Sequence, residues 1–423
     1  MAIARKGWKT SLENMLGAVE DASIRAAQVS SPLKKAVLRD AARELLRSEK
    51  ALLRSNGRDL RSARREGFSA AMIDRLTLTR VRLREMARAV TAVAALEDPI
   101  GQTVRTWKRP NGLKITRVTV PIGVILIIYE SRPNVTVECA SLCLKSGNAV
   151  ILRGGRESIY SNRALVSVFK RVLRRHALPE AAVSLVETTD RAAVDALLKR
   201  NDKIHLVIPR GGESLIRKVV RSSRIPVIKH YQGICHVYVD EHADILKAIS
   251  IVVNAKMQRT GVCNAAETLL VHRDIAGRFL PLVGQELRDL GCELRADPAS
   301  RRYLPWAKAA RPSDFGREFL DKILAVRTVA GVGEAVEHIR RYGSAHTDAI
   351  VTEDPRAAGI FKAQVDSSSV MVNASTRFSD GFQYGFGAEI GISTDKIHAR
   401  GPMGLEGLTS YKYLVEGNGQ IRK

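Results

Sequence analysis

The chain has 423 residues, 45% of them hydrophobic, and a formal net charge of +24 at pH 7. This length allows two or three domains with sizeable cores, and no apolar run is long enough to cross a bilayer. The basic excess is spread along the chain and aromatic residues make up only 5%, so we expect no nucleic-acid partner and favour anionic small molecules as ligands.

The cysteines and the N-terminus indicate a reducing compartment. The first residues contain no apolar segment of the kind that a secretory signal requires. Five cysteines are few and odd in number, which fits free thiols rather than a disulfide framework. No CxxC pair is present, and no cluster of cysteines and histidines has zinc-ligand spacing. We therefore expect a cytoplasmic protein without a structural metal.

The N-terminal region predicts helices followed by a β-hairpin. Residues 11–100 carry apolar stripes at helical spacing, with arginines and acidic residues opposite. Two β-prone runs follow, at 103–107 and 113–120, and Asn111-Gly112 between them is a strong hairpin signal. We expect this hairpin to project from the body.

From Pro121 onward, short apolar runs alternate with amphipathic stretches. Apolar runs without alternation predict strands covered on both faces, and the helices between them predict a parallel, Rossmann-like sheet. The dinucleotide fingerprint GxGxxG is absent, so that motif cannot support cofactor binding here. The runs span residues 123–129, 149–153, 183–187, 204–209, 225–229 and 235–240.

Two glycine pairs follow predicted strands and precede predicted helices. Ligands of open α/β sheets bind at such places, and backbone N–H groups beside an arginine suit a phosphate. The alternative is that both are ordinary strand–helix turns. The residues are Arg153, Gly154 and Gly155 at the first place, and Pro209, Arg210, Gly211 and Gly212 at the second.

Cys263 lies in a short polar segment between a predicted helix at 242–256 and a predicted strand at 267–272. A lone cysteine is commonly a small buried apolar residue. A cysteine at a helix–loop–strand junction can also be a thiolate nucleophile. Both interpretations stay open from the local pattern alone.

A second α/β segment follows Cys263, and it ends in a glycine-rich tail. The pattern predicts helices near 277–290 and 332–341 and strands near 324–329 and 348–352. Residues 373–423 are rich in glycine and aromatic residues. We expect this tail to pack closely against a ligand or another subunit.

Five motifs of the sequence stand out together. They span residues 120–155, 207–212, 258–272, 342–354 and 387–414. These motifs resemble those of the gamma-glutamyl phosphate reductases, a family within the aldehyde dehydrogenase superfamily. The resemblance implies an aldehyde dehydrogenase-like α/β fold with a Rossmann-like parallel-sheet cofactor domain, an α/β catalytic domain and a small β oligomerisation element.

The resemblance also implies how the chain divides. The predicted NADP(H)-binding domain comprises 1–104 and 120–233. The predicted catalytic domain comprises 234–373, with 374–394 returning toward the cofactor domain. The predicted oligomerisation element comprises 105–119 and 395–423, and its hairpin and tail are expected to pair between subunits, which gives at least a dimer.

The implied activity is the NADPH-dependent reduction of L-glutamyl 5-phosphate to L-glutamate 5-semialdehyde, with release of phosphate, through a cysteine thioester. This reaction is the second step of proline biosynthesis from glutamate. Association with a glutamate kinase, which would protect the labile acyl phosphate, is a further expectation.

The resemblance assigns roles to five residues. Cys263 matches the nucleophile, and Asn134 matches the asparagine that helps to bind the oxyanion. Arg153 takes the place of the lysine that contacts the adenosine ribose and its 2′-phosphate. Glu318 lies where the superfamily holds the nicotinamide ribose. His230 lies where hydrolytic relatives carry the glutamate that activates water.

Two arginines are additional candidates for substrate binding. Arg259, beside the proposed nucleophile, could lower the pKa of the thiol or bind an anion, or it could be a solvated loop residue. Arg132 is the second candidate. Two other functions compete with the reductase: a hydrolytic aldehyde dehydrogenase on the same scaffold, and a basic binding protein without catalysis.

Overall fold

A computed structural model describes residues 2–422, with side chains described from residue 7 onward. It divides the chain into two compact units. The first comprises Met1–Lys229, Phe386–Gly391 and Met403–Lys423, and the second comprises His230–Gly385 and Ile392–Pro402. Among the described residues, no helix combines the length and the apolar character needed to cross a bilayer.

The first unit begins with helices and continues with alternating strands and helices. Up to residue 229 its elements are α1 (Ala2–Ala26), α2 (Ser31–Arg47), α3 (Glu49–Arg65), α4 (Ala70–Leu76), α5 (Arg80–Ala95), β1 (Thr103–Lys108), β2 (Lys114–Pro121), β3 (Val124–Tyr129), α6 (Pro133–Lys145), β4 (Ala149–Arg153), α7 (Ile159–Arg175), β5 (Val183–Leu185), α8 (Arg191–Leu197), β6 (Leu206–Arg210) and α9 (Glu213–Ser222).

The core of this unit is a parallel sheet with the strand order β5-β4-β3-β6. Every residue of β3 is buried, which explains its unbroken apolar run. Leu12, Leu16 and Val19 of α1 pack on the sheet beside Leu126 and Ile151. The predicted parallel sheet is therefore confirmed for four of the runs.

The predicted strand at 225–229 is wrong. Its only bridge within the described residues joins Val227 to Val207. Pro226 has no N–H to donate to a strand ladder, although its carbonyl accepts from Val207 at 2.9 Å. The chain therefore touches the edge of the sheet there without extending it.

The second unit has its own α/β organisation, and the run at 235–240 belongs to it rather than to the first sheet. Its elements are β7 (Cys235–Val239), α10 (Ile245–Met257), β8 (Ala266–His272), α11 (Arg273–Asp289), β9 (Glu293–Ala296), α12 (Pro298–Arg301), β10 (Lys308–Ala309), β11 (Ile323–Val329), α13 (Val332–Tyr342), β12 (Thr347–Val351), α14 (Pro355–Gln364) and β13 (Ser369–Val372).

These strands form a parallel sheet in the order β10-β9-β11-β8-β7-β12-β13. Helices α10 and α11 pack on one face, where Val252 and Phe279 are buried. Helices α13 and α14 pack on the other, where Ile339 and Phe361 are buried. The predicted helices and strands after Cys263 are confirmed. Because helices cover both faces of this sheet, its central strands are continuous apolar runs.

The predicted hairpin is confirmed as the antiparallel pair β1 and β2. The chain then ends with β14 (Gly391–Ser393) paired with β15 (Gly401–Met403), followed by β16 (Thr409–Glu416). Strand β16 pairs antiparallel with β2 along its whole length, from Thr409 opposite Pro121 to Glu416 opposite Lys114. The expected pairing of hairpin and tail between subunits is therefore wrong for these strands, because the tail returns to the first unit and fills that edge of β2 within the same chain.

Candidate active site

Cys263 lies in the turn between the end of α10 and the start of β8. Its side chain is partly exposed, whereas those of the other four cysteines are buried. Burial raises the pKa of all four buried thiols, so they stay protonated and are poor nucleophiles. Within the described residues, Cys263 is the one cysteine with a solvent-exposed side chain.

The backbone of this turn is held against the start of β7. A Cβ atom at Gly233 would lie 1.9 Å from the Cys263 carbonyl oxygen, so only glycine allows the two backbones to approach so closely. The buried Cys235 thiol donates a hydrogen bond to the same carbonyl oxygen at 3.2 Å. Two neighbouring residues therefore fix the peptide that carries the proposed nucleophile.

Glu318 lies in the loop that precedes β11 and is tied to this backbone contact. Its Oε1 accepts a hydrogen bond from the Gly233 N–H at 2.9 Å. In the same loop, the Leu320 N–H donates to Glu267 Oε1 at 3.2 Å. The structure thus links the Glu318 loop to the Cys263 turn, while a role for Glu318 in holding a ribose stays a prediction.

His230 is fixed by a backbone contact at the start of the second unit. Its Nδ1 donates to the Ile392 carbonyl oxygen at 2.9 Å. Its ring stands edge-on to that of His346, with the ring centroids 5.7 Å apart. Burial lowers the pKa of His346 to about 3, so this neighbour is neutral at physiological pH. A carboxylate base is absent at position 230.

Two arginines lie beside the Cys263 turn. Arg259 is exposed, as a solvated loop residue would be. Arg377, which the sequence patterns do not single out, is half-buried, and its Nε donates to Gln258 Oε1 at 2.8 Å. Asn264 Nδ2 donates to the Arg377 carbonyl oxygen at 3.5 Å and to the Ser379 carbonyl oxygen at 2.9 Å. The segment around Arg377 is therefore attached to the turn.

The residues predicted to assist Cys263 from α6 lie in the first unit. Asn134 is half-buried in the first turn of α6, and its Nδ2 donates to Glu138 Oε1 at 2.9 Å. Arg132 is exposed at the N-cap position of the same helix. The oxyanion role of Asn134 and the substrate role of Arg132 stay predictions.

The first predicted cofactor residue, Arg153, ends β4. Its Nη1 donates to the Gly154 carbonyl oxygen at 2.9 Å. Its Nε is buried and lacks a hydrogen-bond partner among the described residues. Burial lowers the pKa of its guanidinium. A partly desolvated cation with an unused donor at the carboxyl end of a strand fits an anionic ligand group.

The glycines beside Arg153 are explained by packing. A Cβ at Gly154 would lie 2.1 Å from Asn162 Nδ2, and a Cβ at Gly155 would lie 1.8 Å from Glu157 Oε1. A larger residue at either position would therefore require Asn162 or Glu157 to shift. This favours the interpretation of an ordinary strand–helix turn for the two glycines, though not for the arginine.

The second glycine pair follows β6, which Pro209 and Arg210 complete. The Gly212 N–H donates to Glu130 Oε2 at 3.2 Å. A Cβ at Gly211 would lie 2.7 Å from the Glu130 carboxyl carbon. A carboxylate thus occupies the place where the sequence suggested a phosphate, which makes this pair the weaker of the two candidates.

Comparison with known proteins gives consistent matches along the chain. The sequence model of the aldehyde dehydrogenase family matches residues 6–301. The gamma-glutamyl phosphate reductase of Moorella thermoacetica is 52% identical over 404 residues, which cover 96% of each chain. That of Anaeromyxobacter sp. (strain K) is 53% identical over 403 residues, which cover 94% of each chain. The crystal structure of the gamma-glutamyl phosphate reductase from Thermotoga maritima matches with a TM-score of 0.96 and 44% identity, covering 97% of this chain and 100% of that one.

Proposed function

The chain belongs to the aldehyde dehydrogenase family, and on this premise we propose that it reduces L-glutamyl 5-phosphate to L-glutamate 5-semialdehyde with NADPH and releases phosphate. This reaction is the second step of proline biosynthesis from glutamate. The observation that carries the assignment is the 52% identity to a gamma-glutamyl phosphate reductase over 96% of both chains. The resemblance recognised in the sequence motifs is confirmed by this match and by the TM-score of 0.96.

Cys263 is the proposed nucleophile, and its exposure and fixed backbone support this role. Its thiolate attacks the acyl-phosphate carbonyl, and phosphate departs from the resulting tetrahedral intermediate to leave a thioester. The Asn134 amide and the Cys263 backbone N–H are the proposed donors to the oxyanion. Loss of one such donor typically lowers the rate by about 10²–10³-fold. Because phosphate is a good leaving group, this step needs no strong general acid.

The residues proposed to hold NADPH are Arg153 and Glu318. The unused Nε donor and desolvated charge of Arg153 suit the 2′-phosphate that distinguishes NADPH from NADH. The Glu318 carboxylate is an acceptor for ribose hydroxyls. NADPH, when bound, supplies the hydride that converts the thioester to the aldehyde. The protein's part is to position the cofactor and to keep water from the thioester.

A hydrolytic aldehyde dehydrogenase is the competing function, and His230 argues against it. Hydrolytic relatives activate water with a glutamate at this position, whereas this chain has His230 there. An assay of glutamate 5-semialdehyde with NADP, run with and without phosphate, separates the two. We expect NADP reduction that requires phosphate. Phosphate-independent oxidation to free glutamate would contradict the proposal.

The exposed apolar side chains of β16 bear on the oligomeric state. We propose at least a homodimer, supported by the exposed Tyr411, Tyr413, Leu414 and Val415 on β16, which lies at one edge of the three-stranded sheet. Light scattering on the purified protein tests this, and a monomer at micromolar concentration would contradict it.

Association with a glutamate kinase and a cytoplasmic location are further proposals. The small and odd number of cysteines, five, supports the latter.

A further inference from the structure

Arg377 forms hydrogen bonds with residues on both sides of Cys263, the proposed nucleophile. Its Nε donates to Gln258 Oε1 at 2.8 Å, and Gln258 directly precedes Arg259. Its carbonyl oxygen accepts from Asn264 Nδ2 at 3.5 Å, and Asn264 directly follows Cys263. These contacts join Arg377 to the Cys263 turn although Arg377 and Asn264 are 113 positions apart in the sequence. A negative charge on Cys263 is near enough to raise the pKa of the Arg377 guanidinium.

The positive charges of Arg377 and Arg259 near Cys263 are not balanced by carboxylates of the described residues. Burial lowers the pKa of Arg377, and the positive charge of Arg259 lowers it further. Asp380 opposes this effect only in part. In the described portion of the chain, neither guanidinium forms an ion pair with a carboxylate. Two neighbouring cations, one of them partly removed from water, are unfavourable unless an anion binds between them.

The proposed reaction indicates which anion binds between the two arginines. In an acyl phosphate, the phosphoryl oxygen is bonded to the carbon that the thiolate attacks, so the phosphoryl group must lie beside Cys263. The α-carboxylate of the substrate lies at the far end of the carbon chain. We propose that Arg377 and Arg259 bind the phosphoryl group of the acyl phosphate, and inorganic phosphate in the reverse reaction. This inference rests on the proposed function.

Arginine suits this task better than lysine. Its planar guanidinium can donate two parallel hydrogen bonds to phosphate oxygens, whereas an ammonium acts as a point charge. The bond from Nε to Gln258 fixes the plane of the Arg377 guanidinium. A lysine at position 377 should therefore restore only part of the binding.

The experiment measures the KM for inorganic phosphate in the oxidation of glutamate 5-semialdehyde with NADP. We expect Arg377→Ala to raise this KM by about 10- to 100-fold, the effect of losing one charge-assisted contact, and to change the KM for NADP little. Arg377→Lys should recover part of the loss. Arg259→Ala provides a second variant that preserves packing, because Arg259 is exposed, and it should raise the same KM. Arg278→Ala, exposed on α11, is the matched control and should leave it unchanged.

The outcomes separate this inference from the proposed function. If the wild type reduces NADP only with phosphate and neither Arg377→Ala nor Arg259→Ala changes the KM for phosphate, the inference is wrong and the proposed function stands. A higher KM for the semialdehyde, with the KM for phosphate unchanged, would assign the arginines to the α-carboxylate and overturn the inference. Phosphate-independent turnover by the wild type would overturn both.

Discussion

Lys256 and Glu267 form an ion pair in which Nζ and Oε2 are 2.6 Å apart and neither side chain is exposed. Lys256 lies in the last turn of α10 and Glu267 in β8, so the pair closes the segment that carries Cys263 between them. The other oxygen of Glu267 accepts from the Leu320 N–H at 3.2 Å. The pair therefore joins the Cys263 turn to the Glu318 loop.

Replacing Lys256 and replacing Glu267 should destabilise the protein by different amounts. Burial raises the pKa of Glu267 to about 7, so without Lys256 the carboxyl can take up a proton and remain buried as a neutral group. Glu267→Gln instead leaves the Lys256 ammonium without its counter-charge, which typically costs about 3–5 kcal/mol. We expect Lys256→Met to lower the free energy of unfolding less than Glu267→Gln at pH 7, as measured by urea denaturation.

The double variant Lys256→Met/Glu267→Leu provides the control for that prediction. Replacing both charges with apolar groups removes the unpaired ammonium, so its stability should exceed that of Glu267→Gln. Equal losses for the two single variants, or a larger loss for Lys256→Met, would contradict the explanation.

Gly233 should be essential for the position of the nucleophile. A methyl group there would lie 1.9 Å from the Cys263 carbonyl oxygen, so Gly233→Ala must displace the turn. A displacement of about 1 Å in an active site can cost about 10²-fold in rate, and we expect a loss of kcat of at least this size. Gly261→Ala is the matched control, because a Cβ at that position meets no atom within 4 Å. Similar activity of the two variants would refute this role.

Arg153 should determine the preference for NADPH. We expect Arg153→Ala to raise the KM for NADPH by about 10- to 100-fold, because a charge-assisted contact to phosphate is lost, and to leave the KM for NADH nearly unchanged. Arg156→Ala is the control, since Arg156 is exposed and pairs with Glu66. Equal increases for both cofactors would mean that Arg153 does not contact the 2′-phosphate.

Two buried histidines should make the second unit sensitive to acid. Burial lowers the pKa of His338 and of His346 to about 3, from about 6.5 in an unfolded chain. The unfolded chain therefore binds more protons between these values, and the free energy of unfolding falls as the pH falls from about 6.5 toward 3. Each histidine contributes a slope of up to about 1.4 kcal/mol per pH unit in this range.

His338→Asn tests this contribution. Asparagine cannot titrate there, and its oxygen can replace Nδ1, which accepts from Arg327 Nη1 at 3.1 Å. Denaturation between pH 7 and pH 4 should show a shallower loss of stability in the variant. The comparison with the wild type cancels the contribution of Glu267, whose raised pKa acts in the opposite direction. Parallel profiles would contradict the prediction.

The sequence predicted those parts of the fold that local patterns determine. Strands β3 and β4 are buried along nearly their whole length, and such burial leaves a continuous apolar run. The short strands β9, with residues ELRA, and β10, with residues KA, carry no such run. Their pairing depends on the rest of the sheet, so no local pattern could reveal them.

The sequence identified the residues of the candidate site that local patterns mark. It did not identify those that only long-range contacts bring to the site. Cys263 stood out because it separates a helix pattern from a strand pattern. Arg377 did not stand out, because its link to Asn264 spans 113 positions. The contact between Gly233 and Cys263 likewise arises from the parallel pairing of β7 with β8, which residue spacing alone cannot give.

The most direct test of the central claim is to locate the acyl group on the enzyme. The wild type is incubated with glutamate 5-semialdehyde and NADP without phosphate, and the protein is examined by intact-mass and peptide-mass spectrometry. Without phosphate as the acceptor, the thioester should accumulate, and we expect a glutamyl group on Cys263 that Cys263→Ala does not acquire. A glutamyl group on another residue, or full phosphate-dependent activity in Cys263→Ala, would show that the reaction does not pass through this thiol.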